Sequence, residues 1–268
     1  MAFSYSEITS RKNEKIIWAS KLSEKKFRDK EGIFFVEGAK LLEEVILSKH
    51  IVEKIFFTAK AYNSYRELLE KSKAEDCYLV TDEVFEKLTD ESAPQGIFAC
   101  IRKPDMLPFP MESIKNGGFI ILEDIQNPQN LGAIFRCAYS LGGAKIVMTN
   151  SCADVYNPKT LRSAMGSIFK AEFCVYDDIG SFIDLLKSEG NRVFCTHLHS
   201  DSQRLGSFEF KASDSIVIGN EGHGVSDNTA DRCSARIIIP MVENAESLNA
   251  AAASSILIWE MNKSKLLS

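Results

Sequence analysis

The chain has 268 residues, of which 45% are hydrophobic and 26% charged, and its formal net charge is −5. This composition is typical of a folded protein and excludes a disordered, collagen-like or coiled-coil chain, while the negative charge argues against nonspecific coating of nucleic acid. The longest apolar runs, such as 119–122 and 256–259, are far shorter than the roughly 20 residues of a membrane-spanning helix, and no secretory apolar core follows Met1. We therefore expect a soluble, cytoplasmic protein.

The first 30 residues are basic, with eight Lys/Arg against four Asp/Glu, so this segment is +4 and the remainder of the chain is −9. Ile8, Ile16 and Leu22 lie among the charges, a pattern that suits an amphipathic helix or arm. We interpret 1–30 as an arm that faces RNA, with a solvated surface helix as the alternative. The candidate RNA contacts of the arm are Lys12, Lys15, Lys25 and Arg28.

Strands and helices alternate after the arm. We predict strands at 33–36, 54–57, 77–80 and 96–101, and helices at 39–47, 62–70 and 83–88. This alternation predicts a small α/β sandwich, assigned to 31–103. Pro104, Pro108 and Pro110 follow it. Because proline withholds an amide donor and opposes helix, we predict an interdomain linker at 104–117.

A second alternation fills 118–268, which we assign to a second domain. The predicted strands are 119–123, 145–148, 172–176, 192–196, 215–218 and 236–239, and the predicted helices are 128–141, 158–169, 181–188 and one from Glu246 onward. The strands are apolar without period-two alternation, which indicates burial on both faces and a mostly parallel sheet. Seven cysteines without a CxxC pair predict neither a disulfide framework nor a metal site.

The first candidate motif, 123–136, lies where the first strand of this domain ends. Asn127 followed by Pro128 is a good N-cap and first-turn pair. Helical spacing places Gly132 one turn before Arg136, which leaves bare backbone beside a cation. Ligands of open α/β sheets bind at strand carboxyl ends, so this stripe suits a phosphate or ribose. An exposed arginine on a solvated helix is the alternative.

The second candidate motif begins at Gly219, after the strand at 215–218, and contains three glycines. Glycine permits positive φ and close backbone approach, as a cofactor loop requires. The G-x-x-G-x-G spacing fits neither the P-loop nor the dinucleotide pattern, and a plain tight turn is the alternative. No Cys, Asp or His lies within three residues of His223, so we interpret it as a solvated loop residue.

The third candidate motif begins where the last predicted strand stops at Pro240. A polar loop follows, and the next helix opens with Glu246, where the helix dipole favours an acid. Six small residues at 250–255 allow close backbone packing, which a tight helix pair also explains. A shorter Asn-Pro helix start at 157–158 precedes Arg162, a further candidate RNA contact.

Together and in this order, the three motifs resemble the signatures of the SpoU, or TrmH, family of RNA ribose 2'-O-methyltransferases. The matching residues are Asn130-x-Gly132-x3-Arg136, Gly219-Asn220-Glu221-Gly222-x-Gly224, Ile239-Pro240-Met241 and Glu246-Ser247-Leu248-Asn249. The segments 35–38 and 95–97 are similar to the ends of the family's substrate-binding domain, a fold similar to ribosomal protein L30e. The resemblance covers almost the whole chain and looks closest to members that act on large-subunit ribosomal RNA.

The resemblance implies a fold that patterning alone does not predict: an α/β trefoil-knot (SPOUT) domain preceded by the small L30e-like α/β sandwich. It also implies an obligate homodimer and S-adenosylmethionine as cofactor. The residues implied to hold this cofactor are Gly219, Asn220, Glu221, Gly222, Ile239, Met241, Leu248 and Asn249. No Gly-rich loop follows a first strand, which argues against a Rossmann-type methyltransferase.

The same resemblance implies the catalytic residues, which are Arg136, Asn130, Glu246, Ser247 and Asn249. Arg136 matches the family's proposed catalytic arginine. A guanidinium stays protonated at neutral pH and is a poor base, so our hypothesis is that Arg136 mainly orients the ribose hydroxyl and the adjacent phosphate. Asn130 would hold the ribose or the arginine, and Ser247 and Asn249 would complete the site.

The sequence departs from the family at Glu243, where many relatives carry glycine, and at 250–253, where alanine replaces a mixture of valine and alanine. The predicted substrate is 23S-type ribosomal RNA. The alternatives are a transfer RNA ribose methyltransferase and a noncatalytic RNA-binding or ribosome-assembly factor with the same fold. The intact set of implied catalytic residues argues against the noncatalytic alternative, and we expect no membrane partner.

Overall fold

The computed structural model describes residues 3–143, 145–243 and 247–267, and the chain divides into two compact units. The N-terminal unit comprises Met1–Asp105 and Tyr156–Phe169, and the C-terminal unit comprises Met106–Val155 and Lys170–Ser268. Within the described stretches, no helix has the length and apolar character needed to cross a membrane.

Helices and strands alternate along most of the chain. The first half contains β1 (Ser6–Ile8), α1 (Glu14–Ser20), α2 (Lys25–Glu31), β2 (Ile33–Glu37), α3 (Ala39–Leu47), β3 (Val52–Thr58), α4 (Ala59–Lys71), β4 (Asp76–Val80), α5 (Asp82–Phe85), β5 (Ile97–Arg102) and α6 (Met111–Asn116). The second half contains β6 (Phe119–Leu122), α7 (Pro128–Ser140), β7 (Lys145–Thr149), α8 (Pro158–Ala164), β8 (Glu172–Tyr176), α9 (Ile179–Ser188), β9 (Val193–Thr196), β10 (Gln203–Arg204), β11 (Ser215–Ile218), α10 (Asp227–Arg232), β12 (Ala235–Ile238) and α11 (Ala250–Leu267).

The sheet of the N-terminal unit has the strand order β1-β4-β3-β5-β2. β1, β4 and β3 run parallel, and β5 pairs antiparallel with β3 and β2. Phe56 and Phe98 from central strands are buried in the same cluster as Ile16 and Leu22. The apolar residues of the predicted basic arm therefore pack into the core of this unit.

A segment from the second half of the chain, Tyr156–Phe169, belongs to the N-terminal unit. Tyr156 stacks on Phe34 with ring centroids 4.5 Å apart. Helix α8 ends earlier than the predicted 158–169, because Met165 takes a left-handed conformation with φ of 50° at its C-terminus. A left-handed residue is a common helix stop. The placement of this segment differs from its predicted assignment to 118–268.

The described part of the C-terminal unit contains a seven-stranded sheet in the order β10-β12-β9-β11-β6-β7-β8. Every pairing is parallel, and β6 and β11 are buried along their whole length. The prediction of an α/β fold with a mostly parallel sheet is confirmed. Because parallel strands share one carboxyl edge, the loops after β12, β9, β11 and β6 follow one another along that edge.

Helix α6 lies inside the predicted linker at 104–117, so the expectation that prolines exclude helix there is wrong. Pro110 occupies the N-cap position of α6, where its missing amide costs no helical hydrogen bond. Phe109 and Ile114 are buried in the core of the C-terminal unit. The predicted C-terminal helix begins at Ala250, and β10 and α10 were not predicted.

Candidate active site

Glu221 joins the first and second motifs. Its carboxylate lies in the loop after β11 and accepts hydrogen bonds from the backbone amides of Gln126 at 3.1 Å and Asn127 at 3.0 Å. It also accepts one from Asn130 Nδ2 at 3.0 Å. Burial raises the pKa of Glu221, but the hydrogen bonds from Asn130 and the backbone outweigh burial, and the net effect lowers the pKa. Glu221 is therefore an anion at neutral pH.

Asn249, in the third motif, is hydrogen-bonded to the same Asn130 side chain. Its Nδ2 donates to Asn130 Oδ1 at 3.0 Å, while its Oδ1 accepts from the amides of Ala251 at 2.9 Å and Ala252 at 3.3 Å at the start of α11. Asn249 thus caps α11. Both ends of the buried Asn130 amide are engaged, so its orientation is fixed by one acceptor and one donor.

Asn220 closes the loop that carries Glu221. Its Oδ1 accepts from the Gly222 amide at 2.7 Å, and its Nδ2 donates to the Asp124 carbonyl at 2.8 Å. The main chains of Asn220 and Gly224 exchange two hydrogen bonds. A Cβ on Gly219 would lie 2.1 Å from the Gly224 carbonyl carbon, so this close approach of two backbone segments requires glycine.

Glu123 is a buried carboxylate for which the sequence predicted no role. It is 7% exposed and accepts hydrogen bonds from the Ser226 amide at 2.9 Å, Ser226 Oγ at 2.7 Å and Thr229 Oγ1 at 2.6 Å. These three donors compensate for the burial of the charge, and they tie the end of β6 to the start of α10. The sequence feature that could have identified Glu123 is an acidic residue directly after a buried apolar strand.

Arg136 lies on α7 and is exposed. Its guanidinium has no ion-pair or hydrogen-bond partner among the residues that the structure describes. Ser247 is also exposed, whereas Glu246 lies outside the described residues.

Helix α7 contacts α11, where Cys137 Sγ lies 2.9 Å from Ser255 Oγ. The small residues at 250–255, which were predicted to allow close packing, therefore lie where α11 packs against α7.

Apolar side chains are exposed on the loops at the carboxyl edge of the parallel sheet. Leu198 after β9 is 87% exposed, Met241 after β12 is 45% exposed, and Leu248 before α11 is 40% exposed. Ile239 follows β12 and is partly buried. Exposed apolar groups at a strand edge are typical of a ligand site. Leu198 was missed, although it lies two residues after the end of β9.

The predicted RNA contacts belong to the N-terminal unit. Lys12, Lys15 and Lys25 are exposed. Lys15 Nζ donates to the Tyr78 hydroxyl at 2.6 Å and lies 4.2 Å from the centre of that ring. Lys12 and Lys25 are therefore the more available of these three ammonium groups.

Two arginines predicted to contact RNA have structural partners. Arg28 is 1% exposed and donates to the carbonyls of Leu22 at 2.6 Å and Ser23 at 2.8 Å. Its guanidinium supports the turn between α1 and α2, so the prediction that it faces RNA is wrong. Arg162 pairs with Glu91 at 2.9 Å within the N-terminal unit.

Comparisons with known proteins agree on one family. The SpoU rRNA Methylase family matches residues 118–259, more than half of the chain. The chain belongs to the SpoU rRNA methylase family. A second profile, the MRM3-like substrate binding domain, matches residues 13–99 of this SpoU family member. The family predicted from the three motifs is thus confirmed.

Two relatives and one solved structure are similar to this SpoU family member over nearly its whole length. It is 33% identical over 258 residues to the 23S rRNA (guanosine(2553)-2'-O)-methyltransferase RlmP of Bacillus subtilis (strain 168), with 95% of this chain and 98% of the relative covered. It is 27% identical to the 23S rRNA (uridine(2479)-2'-O)-methyltransferase of Streptomyces viridochromogenes, with 97% and 92% covered. The AdoMet bound rRNA methyltransferase from Sinorhizobium meliloti matches with a TM-score of 0.85 and 25% identity over 98% of both chains.

Proposed function

We propose that this SpoU family member transfers a methyl group from S-adenosylmethionine to the 2'-hydroxyl of a ribose in large-subunit ribosomal RNA. The observation that carries the proposal is Asn130, which is hydrogen-bonded to both Glu221 and Asn249 and so unites the three family motifs. The names of the Bacillus and Streptomyces relatives support 2'-O-methylation of 23S rRNA, and the Sinorhizobium relative bound AdoMet. The bacterial relatives also favour a cytoplasmic location.

The carboxyl edge of the parallel sheet suits this cofactor. The exposed faces of Leu198, Met241 and Leu248 offer apolar contact to a flat adenine ring. The main chain at Gly219 and Ile239 comes directly after β11 and β12 at the same edge. The hydrogen bonds of Asn220 and Glu221 shape the loop rather than reach outward. When bound, S-adenosylmethionine supplies an electrophilic methyl group. The proposed cofactor residues are Gly219, Asn220, Glu221, Gly222, Ile239, Met241, Leu248 and Asn249.

The chain's own residues position the ribose. Arg136 has no partner among the described residues, so its planar fork is available to a phosphate or a ribose oxygen. Held there, it lowers the barrier through orientation and electrostatics. Asn130 acts as a positioning residue because its amide is engaged at both ends. Ser247 and Asn249 complete the proposed site, together with Glu246.

Replacing Arg136 tests this proposal. We expect Arg136→Ala to lower turnover by about 100-fold or more, the usual cost of removing one oriented cationic donor. The affinity for S-adenosylmethionine, measured by calorimetry, should stay within about two-fold of wild type, because Arg136 is proposed to contact the RNA and to act in the transition state. Arg204, an exposed arginine of β10, provides the matched control as Arg204→Ala. Undiminished turnover of Arg136→Ala would contradict the proposal.

We further propose that two copies assemble as a homodimer and that the C-terminal unit has the trefoil knot of the family. Tyr139 on α7 and Ile256 and Trp259 on α11 are exposed large apolar residues, and such a patch suits a partner surface. Trp259→Glu is expected to shift the mass measured by sedimentation equilibrium from dimer to monomer. A wild-type chain that sediments as a monomer would contradict the dimer.

A further inference from the structure

Two cavities of the N-terminal unit share Ser64, Tyr65 and Gln95 in their walls. The first cavity has a volume of about 690 Å³ and the second about 920 Å³. Both are formed by residues between Ala39 and Gly96. Neither belongs to the candidate active site, which is built from residues of the C-terminal unit.

Tyr65 is a partly exposed aromatic residue in the walls of both cavities. Its φ of −131° and ψ of 27° interrupt helix α4. Nearby Tyr62 lies in a cluster of rings that includes Phe3 and Phe57. Among the described residues, neither the ring nor the hydroxyl of Tyr65 has a stacking or hydrogen-bond partner. An unpartnered ring in a cavity wall offers a stacking surface for a base.

Gln95 lines both cavities and is held by the main chain at the start of α3. Its Oε1 accepts a hydrogen bond from the Ala39 amide at 2.8 Å. Gly38, with φ of +85°, makes this contact possible, since a Cβ there would lie 2.7 Å from Gln95 Oε1. Because Oε1 is engaged, the Gln95 amide group has its donor end available to a ligand carbonyl.

The first cavity has an acidic lining. Among the described residues that line it, Lys60 is the one basic residue, whereas Asp82, Glu86 and Glu91 are acidic. Glu91 pairs with Arg162, but Asp82 and Glu86 are exposed and their carboxylates have no ion-pair partner within the described stretches. Carboxylates repel phosphate and accept hydrogen bonds from amino and ring N–H groups of bases.

The second cavity is more basic. Lys40, Arg66 and Lys71 line it together with the acids Glu43 and Glu67. The ion pairs of these cations with Glu43, Glu70 and Glu67 are exposed, so they contribute little to stability and can be exchanged for contacts to phosphate. Lys40 also pairs with Glu44, whose side chain is only 9% exposed. The charge difference between the two cavities matches the polarity of a nucleotide, with a base at one end and phosphate at the other.

We propose that the two cavities form a binding site for one unstacked nucleotide of the RNA substrate, an inference that rests on the proposed function. The base occupies the first cavity and stacks on Tyr65, and the phosphates lie toward the second cavity. The carboxylates of Asp82 and Glu86 and the amide of Gln95 favour guanine, whose pairing edge presents two adjacent N–H donors beside a carbonyl. Uracil presents a single N–H and is bound less well.

Photo-crosslinking locates the nucleotide without requiring catalysis. Transcripts of large-subunit rRNA fragments that contain 6-thioguanosine are irradiated with the full-length protein, and the crosslinked peptide is identified by mass spectrometry. We expect the crosslink in the peptide that contains Tyr65. Crosslinks that fall only outside 39–96 would overturn the site.

Binding measurements with the same transcripts use variants of Tyr65 and Lys60. Tyr65→Ala and Tyr65→Leu are expected to weaken binding about ten-fold or more, the usual effect of losing one stacked base, whereas Tyr65→Phe keeps the stacking face and binds within about two-fold of wild type. Lys60→Ala is compared with Lys115→Ala, which removes one exposed charge from the C-terminal unit. We expect the larger loss for Lys60→Ala, and equal losses for the two lysine variants would count against the first cavity as the binding site.

Kinetics separate this site from the proposed function. In methyl transfer, the loss in Tyr65→Ala should fall on KM for RNA rather than on kcat, and thermal unfolding checks that α4 remains folded. Wild-type methyl transfer with unchanged RNA binding of Tyr65→Ala would overturn the nucleotide site alone. Tyr65-dependent RNA binding without methyl transfer would overturn the proposed function and leave the site standing. A wild-type protein that binds no ribosomal RNA would overturn both.

Discussion

Replacing Asn130 with aspartate tests whether the hydrogen-bond network depends on an ionised Glu221. Asn130 Nδ2 lies 3.0 Å from Glu221 Oε1, and Asn130→Asp puts an oxygen in place of that donor. The hydrogen bond from Asn249 to Oδ1 is retained. Two adjacent carboxylates repel each other, so the network reforms only when one of them takes up a proton.

The cost of that proton sets an upper limit on the destabilisation. Protonating a carboxyl group with an ordinary pKa of about 4.3 costs roughly 3.7 kcal/mol at pH 7 and roughly 1 kcal/mol at pH 5. Solvent screening at the exposed Glu221 reduces the observed loss below this limit. The pKa of the folded carboxyl pair lies above that of the unfolded chain. The free energy of unfolding therefore falls relative to wild type as pH rises, and levels off above the folded pKa.

Urea denaturation of Asn130→Asp and wild type between pH 5 and pH 8 measures this difference. Asn130→Ala is the control for pH dependence, because it loses the hydrogen bond to Glu221, and also the one from Asn249, without adding a titratable group. Its difference from wild type is expected to stay constant across this range. If the Asn130→Asp difference were equally independent of pH, Glu221 would not be the anion that organises the three motifs.

Two further substitutions test the loop after β11. Thr229→Val removes the 2.6 Å hydrogen bond to Glu123 at nearly constant volume. Urea denaturation should show that the free energy of unfolding falls by about 1.5 to 3 kcal/mol, as for other hydrogen bonds to charged groups. A decrease below about 0.5 kcal/mol would contradict this role of Glu123. Gly219→Ala would bring a Cβ to 2.1 Å from Gly224, so calorimetry should show S-adenosylmethionine binding weakened by at least about ten-fold. An affinity of Gly219→Ala within about two-fold of wild type would refute the steric argument.

Much of the fold could be predicted because its strands are long apolar runs. The predicted bounds of β8 and β11 match the observed Glu172–Tyr176 and Ser215–Ile218. β1 and β10 have only three and two residues, too few for a periodic signal. The placement of Tyr156–Phe169 in the N-terminal unit depends on contacts such as Tyr156 with Phe34, which no local pattern encodes.

In the candidate site, local motifs identified the residues, but contacts between residues far apart in the sequence could not be predicted. The order of the three motifs identified Asn130, Glu221 and Asn249, but the partners of Asn130 lie 91 and 119 residues away along the chain. Only the fold shows that one amide joins all three motifs. The prediction for Arg28 failed because composition treats a cation as exposed, whereas two carbonyl acceptors allow this one to be buried.

Methyl transfer from labelled S-adenosylmethionine to unmodified large-subunit ribosomal RNA tests the central claim most directly, with bulk transfer RNA as the parallel substrate. The proposed function predicts label at one position of the ribosomal RNA, where the modified ribose makes the adjacent linkage resistant to alkali. Label confined to transfer RNA, or an alkali-sensitive linkage at the labelled position, would contradict it. So would the absence of any incorporation by a protein whose binding of S-adenosylmethionine has been confirmed.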